Sequence, residues 1–323
     1  MDNYIKNRYD FVFLFDVKDG NPNGDPEMDN QPRIDFDTRE GLVSDVCIKR
    51  KVRNYVQLKV EAGELSSDNY DIFIRQGNIL NDIIGKESEN AENDEKKGRL
   101  SMCDKYFDVR TFGAVLSTGE KASEKEDDNS SDDTEKKGKR KKGGNKRGLG
   151  VVRGPVQFVF SRSIDPIDSK THSITRCCVT KKEDADEKDN TFGNKSTVSY
   201  GLYRMHGYIS AFDGEKYHFT EDDLKLLWEA LMNAFEHDHS AARGEMNARA
   251  LIVFKHESKL GNARSAQLFE RVKIEKVKDK NGQEISYPRQ FEDYTIILNK
   301  KDLPKGVTID DVSYLPEGVT IME

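Results

Sequence analysis

Apolar positions in this chain come in short runs separated by long polar stretches. Tyr9 to Val17 is a nearly continuous apolar run and predicts a buried strand. Ile48, Val52, Tyr55 and Val56 recur at helical spacing, so a helix follows, with Ser44 or Asp45 as its cap. Asp71 to Ile84 predicts another helix, Glu87 to Arg99 a polar loop, and Ser101 to Leu116 an ordered segment around Tyr106, Phe107, Val109 and Phe112. Leu149 to Phe160 reads as a strand entered through Arg153-Gly154-Pro155. Ser173 to Thr180 is strand-like and precedes an acidic stretch, Glu183 to Asp189, which predicts a protruding hairpin from about Asp165 to Tyr200. Tyr200 to Phe212 is a further strand. Thr220 to Asp238 is the clearest helix: Thr220 and Asp223 make a capping-box start, and Leu224, Leu227, Trp228, Leu231 and Phe235 form one stripe. Ala248 to His256 is a strand, and Phe269 to Val277 with Tyr294 to Leu298 completes a late sheet element.

The core order is therefore strand, helix, strand, strand, helix, strand. That is an α+β arrangement of the ferredoxin-like or RRM-like kind, interrupted by long insertions. One domain spans 1–323, with an insertion over 61–116, a charged loop over 117–148, a hairpin over 162–200 and an irregular tail over 300–323. The loop assignment rests on composition. Glu120 to Glu135 holds eight acids, Lys136 to Arg147 holds eight bases, and no apolar residue larger than Ala occurs from Ser117 to Arg147. Such a segment has nothing to bury against its ordering entropy and is expected to be disordered.

Charge changes the picture locally. The chain carries a net −7, which argues against a general nucleic-acid coat but not against a local basic track. From Val46 to Val60 there are five basic residues and no acid, with Lys49, Arg50 and Arg53 on one face and Lys51 and Lys59 nearby. A solvated helix face normally mixes signs, so this one predicts phosphate contact. Just upstream, Asp16-Val-Lys-Asp-Gly-Asn-Pro-Asn-Gly-Asp25 is a tight turn whose Asn21, Asn23 and Gly24 bring amides forward, through a close approach or a positive φ at Gly24. A plain structural turn is the alternative. Asp19, Asn21, Asn23 and Gly24 also fit the start of a calcium loop. Asn30 stands where that loop needs a bidentate Glu, and Pro22 interrupts it.

Four Cys, at 47, 103, 177 and 178, lack zinc spacing and read as thiols in a reducing, cytoplasmic setting. The start is not that of a signal peptide, and no apolar run is long enough to span a membrane. No strong catalytic motif occurs. His237-Asp-His239 is a weak metal candidate, and Asp25, Asp29, Asp35 and Asp37 are loop carboxylates able to hold magnesium. No cofactor and no metal is expected. Strand alternation places Arg204 and His206 on one face, opposite Tyr203, Met205 and Gly207.

Several blocks, taken in order, resemble one family. They are the Asp16–Asp25 turn, Leu42–Val56, Asp108-Val-Arg-Thr-Phe-Gly113, Arg153-Gly-Pro-Val-Gln157 and Tyr200-Gly-Leu-Tyr-Arg-Met-His-Gly-Tyr-Ile209. Together they resemble the Cas-seven backbone subunit of type I-C CRISPR Cascade. The resemblance implies a modified RRM-like palm with finger-like insertions and a thumb hairpin, in copies stacked head to tail along guide crRNA. It implies partners as well: the guide, a target DNA strand paired to it, further copies, and the crRNA-processing, large and small subunits. Binding without cleavage is implied, with no membrane. On this reading the RNA-binding residues are Asn21, Asn23, Gly24, Lys49, Arg50, Arg53, Arg110, Arg153, Gln157, Arg204 and His206, joined by Arg162, Arg176 and Lys195 on the hairpin. Two other classes stay open: an RNA nuclease using a loop Asp, and a protein-only scaffold.

Overall fold

Strand Tyr9–Gly20 is buried on both faces, and the molecule is layered around it. The structure is a computed structural model that describes residues 3–118, 148–178, 191–278, 280–317 and 319–322. The chain order is β1 (Tyr9–Gly20), β2 (Gly24–Asp25), β3 (Gln31–Pro32), β4 (Glu40–Val43), α1 (Asp45–Glu61), α2 (Ser67–Tyr70), α3 (Leu80–Asn90), α4 (Glu95–Lys105), α5 (Phe107–Phe112), β5 (Ala114–Leu116) and β6 (Gly150–Val152). It continues through β7 (Val156–Phe158), β8 (Ser161–Pro166), β9 (Ser169–Arg176), β10 (Thr191–Ile209), α6 (Ala211–Lys216), α7 (Glu221–Met232), β11 (Glu245–His256), α8 (Ser265–Phe269), β12 (Val272–Lys276), β13 (Tyr294–Asn299), β14 (Val307–Ile309) and β15 (Thr320–Met322).

The result is a mixed α+β fold. Its main sheet runs β14-β11-β1-β10-β8-β4, with β7 and β9 also paired to β10, and every pairing in it is antiparallel. Side-chain alternation divides β1 between two cores. Phe11, Phe13 and Phe15 pack with Val52 of α1 and with Leu227, Trp228 and Leu231 of α7. Val12 and Leu14 pack on the other face with Leu268 and Phe269 of α8 and with β12 and β13. Cover on both faces is why β1 reads as an apolar run rather than an alternating one. The two acids within it, Asp10 and Asp16, lie on the second face and are fully engaged there. Asp10 meets His256 at 2.8 Å, and Asp16 accepts from Arg249, Tyr200 and Asn247.

Residues 61–116 form a third core around Phe73, Ile84, Met102, Tyr106 and Val109, closed by Leu149 and Val152 of the next segment. Two expectations fail here. Of the stretch expected as a loop, Glu87 to Arg99, residues 87–90 belong to α3 and 95–99 to α4, with only 91–94 between them. The helix expected from Asp71 begins only at Leu80. The polar composition misleads because these helices bury small or neutralised groups. Gly98 packs against Leu149, and the nearly buried Glu87 accepts from Ser101 at 2.9 Å and pairs with Lys105. Asp94 caps α4 by accepting from the Lys96 and Lys97 amides. The tail is also less irregular than expected, since β14 pairs with β11 and β15 with β13. The charged segment and the acidic hairpin tip lie outside the described residues.

One ion pair ties the third core to the first. Arg110 of α5 forks onto Asp223 of α7 at 2.7 and 3.0 Å, and also donates to the Asn69 and Cys103 carbonyls. Asp223 completes the capping box with Thr220. Arg110 is 4% exposed and Asp223 1%, so Arg110 faces the interior and is not an RNA contact. Removing one partner of a buried pair leaves an uncompensated charge. Arg110→Ala is therefore expected to cost about 3–5 kcal/mol in urea unfolding, and a loss under about 1 kcal/mol contradicts this role.

Candidate nucleic-acid interface

The turn and the basic helix are locked together by one amide. The Oδ1 atom of Asn23 accepts from both the amide and the hydroxyl of Ser44, at 2.9 and 2.8 Å. Ser44 occupies the N-cap position of α1, but its hydroxyl points to the turn and makes no capping bond. Asn21 serves the turn from inside: its amide side chain donates to the Asn30 carbonyl at 2.6 Å and is 7% exposed. Its side chain is thus turned into the turn, not out toward the surface as expected. Gly24 is also corrected in part, because its φ is not positive. A Cβ there comes within 1.9 Å of the Asn30 side chain, so close approach is its constraint.

The cationic face of α1 is mostly neutralised, by Asp45 of its own first turn and by carboxylates from elsewhere. Lys49 pairs with Asp45 in the first turn at 2.8 Å, Lys51 with Asp238, Arg53 with Asp108 at 2.8 Å, and Lys59 with Glu229 at 2.6 Å. Lys49 is only 12% exposed and lies over the Phe112 ring, so its charge is spent internally. Arg50 stays exposed, with no ion pair among the described residues.

Arg50 opens onto a cleft of 1420 Å³ between the turn, α1 and the segment Ile72 to Gln76. Arg50, Arg53 and Arg75 line it together with Asn23, Asn54, Gln57 and Gln76, and Glu61 is the acid among its described lining residues. Exposed Val46 and Ile74 add apolar patches at 62% and 46% exposure. Guanidinium groups, amides and apolar spots in one open cleft suit a phosphate backbone with its bases. The sequence reading missed Arg75 and Gln76. The signal available was a cation and an amide directly after the apolar Ile72-Phe73-Ile74.

The remaining candidates lie elsewhere. Arg153 and Gln157 are exposed on the β6–β7 connection and β7, and Gln157 donates to the Gly154 carbonyl. Arg162 is held by Asp35 and Glu40 at 2.8 and 2.9 Å. Arg204 is turned inward to the Val272 and Phe269 carbonyls and to His206. His206 stacks on Phe269 with ring centres 4.0 Å apart. Arg162, Arg204 and His206 share a separate groove of 1230 Å³ that also carries Glu40, Glu270 and Glu275, so it is not a cationic track. On the hairpin, β9 pairs with β10 from Ser169↔Val198 to Arg176↔Thr191; of the strand expected to reach Thr180, Cys177 and Cys178 lie beyond this pairing and 179–180 are outside the described residues. Opposed pairs put Lys170, His172, Arg176 and Lys195 on one face.

Among the described residues, no three His, Cys, Asp or Glu side chains converge as a metal site. Of the loop carboxylates, Asp25 pairs with Arg33 at 3.2 Å. Asp35 accepts from Arg162 and from the Asp37 and Thr38 amides, which hold its carboxyl below the usual range.

Burial, with the Arg204 guanidinium behind it, pushes the His206 imidazole down to about 4, so it is neutral at pH 7 and offers no charge to a phosphate. The unfolded chain takes up this proton near the ordinary value of 6.5 and the folded chain only near 4. The stability it contributes is thus present above pH 6.5 and is lost as pH falls through that window. His206→Gln keeps an acceptor for Arg204 without titrating. Urea midpoints at about pH 7.5 and about pH 5 are expected to show a smaller acid loss for the variant, and equal losses contradict the assignment.

Residues 7–299 match the family model of CRISPR-associated protein Cas7. A CRISPR-associated protein Cas7 from Haloferax volcanii is 25% identical over 270 residues, covering 79% of this chain and 72% of that protein. Similar solved structures include a CRISPR RNA-guided surveillance complex (TM-score 0.41, 13% identity, 76% of this chain and 68% of that one). Another is a CRISPR RNA-guided surveillance complex described as pre-nicking (TM-score 0.43, 12% identity, 76% and 75%). A third is a Type III-B Cmr-beta bound to cognate target RNA (TM-score 0.39, 11% identity, 76% and 61%). With a match that runs nearly the whole length of the three-core body, the chain belongs to the CRISPR-associated protein Cas7 family.

Proposed function

We propose that this chain is a non-catalytic, cytoplasmic backbone subunit of a type I-C Cascade, which grips guide crRNA and presents it for pairing with target DNA. The observation that carries this is the cleft lined by Arg50, by Arg53 paired to Asp108 and by Arg75 paired to Asp71 at 3.4 Å, in a chain of net charge −7. Family membership supports the guide as the ligand, together with further copies and the processing, large and small subunits as partners. The strand order β11-β1-β10-β8, with α1 and α7 on one face, supports reading the main sheet as an RRM-like palm. Residues 61–116 are then the finger and β9 with the outer half of β10 the thumb. The non-catalytic reading is supported by Asp25 and Asp35, which already neutralise Arg33 and Arg162.

Purified protein is expected to carry a defined short RNA. Replacing Arg50, Arg53 and Arg75 with Ala should weaken RNA binding and lower the slope of log affinity against log salt by about 2, at about 0.7 per lost phosphate contact on a single strand. Unchanged affinity and slope remove the cleft from the site. In the same preparation with magnesium, labelled complementary RNA should stay intact. Defined cuts that disappear on changing Asp25, Asp29, Asp35 or Asp37 establish the RNA-nuclease reading instead, and a preparation free of RNA favours the protein-only scaffold.

The hairpin makes a separate prediction. Lys170, Arg176 and Lys195 changed together to Ala should leave the circular dichroism spectrum unchanged and shorten assemblies on a guide-length RNA. Assemblies of normal length mean that this face does not touch the guide.

A further inference from the structure

Asp108 lies behind the cleft rather than on its surface, yet two of the cleft's walls end on its carboxylate. It is 1% exposed. Its Oδ2 atom accepts from Arg53 Nε at 2.8 Å and from the Ile74 amide at 3.0 Å, while Oδ1 accepts from the Phe73 amide at 2.8 Å. Arg53 belongs to α1, and Ile74 lies within the segment Ile72 to Gln76 that forms the opposite wall. One carboxylate therefore sets both the pose of a guanidinium and the distance to the facing backbone. The bond to Arg53 uses Nε, so both Nη nitrogens remain without a hydrogen bond among the described residues. The Phe112 ring, 5.4 Å from the guanidinium carbon, fixes its plane from below. Asp108 and Phe112 belong to the same Asp108–Gly113 block, and Gly113 closes it at φ 81°, where a Cβ meets the Val152 carbonyl at 2.4 Å.

We propose that Asp108 is the positioning residue of the cleft: it aims the Nη edge of Arg53 at a phosphate of the bound RNA and holds the Phe73–Ile74 wall at the matching distance. This rests on the cleft being the RNA site. The advantage is preorganisation, because a long side chain is ordered during folding instead of on binding.

The sign of the effect separates this role from a purely electrostatic one. Asp108 is an acid close to an anionic ligand, so if charge alone counted, Asp108→Asn would tighten RNA binding. A positioning role requires the opposite. Asp108→Asn is expected to weaken RNA affinity about tenfold, and by less in an Arg53→Ala background, because the two residues act as a unit. Unchanged or tighter binding by folded Asp108→Asn protein overturns the proposal. Arg53→Lys decides the matter where Asp108→Asn fails to fold. It keeps the charge and the Asp108 contacts to the amides but has no planar fork. It should bind as weakly as Arg53→Ala, and binding like the wild type overturns the proposal. Arg50→Ala, which does not touch Asp108, guards the parent reading. No loss from Arg50→Ala sinks the cleft as the RNA site. A loss from Arg50→Ala with none from Asp108→Asn sinks only the positioning role.

Discussion

The structure depends on the fork of Arg110 onto Asp223. Both groups are almost without solvent, and charges so placed persist only when every lone pair and N–H finds a partner. Here most do: Asp223 Oδ2 also accepts from the Thr220 amide and hydroxyl, and Arg110 Nη1 reaches two backbone carbonyls. The pair pins α5 against the helix layer of the main sheet. With α5 fixed, Asp108 comes to rest beside α1 two residues earlier, and Phe112 lies beneath two cationic side chains of that helix. A short helix of six residues thus transmits the position of the 61–116 insertion to the cleft.

Local signals in the sequence were strong where local physics decides the outcome. The β1 run, the capping box of Thr220 and Asp223, the α7 stripe and the strands through Ile209 and His256 all follow from spacing and side-chain chemistry. The juxtaposition of the Asn-rich turn with α1 was legible too. What spacing does not carry is the identity of distant partners. No acid lies between Val46 and Val60, yet Asp108, Glu229 and Asp238 reach that stretch from far along the chain, while Asp45 pairs with Lys49 one turn away. The same limit hid α3 and α4, whose buried faces include Gly98, Ser88 and a neutralised Glu87 in place of a leucine stripe.

The two faces of the main sheet have different tasks. The α1–α7 face carries the aromatic core and, at its margin, the cationic cleft. On the other face the strands bury charge-bearing groups under a second layer. Asp10 with His256, Asp16 with Arg249, and Arg204 with two carbonyls are each satisfied there. That cover turns Arg204 and His206 into architecture, although strand alternation alone assigns them to a polar surface.

β10 is a single strand of 19 residues, about 60 Å from end to end at strand rise. Its inner part is hydrogen-bonded to β1 in the centre of the sheet, its outer part to β9, and Val198 belongs to both ladders. The hairpin is therefore a cantilever built into its wall, not an arm on a joint. A load along the outer arm acts as shear on the whole β1–β10 ladder, where many bonds share it at once. Anything that grasps the hairpin is held at an angle set by the twist of this one strand, and so by the core of the molecule.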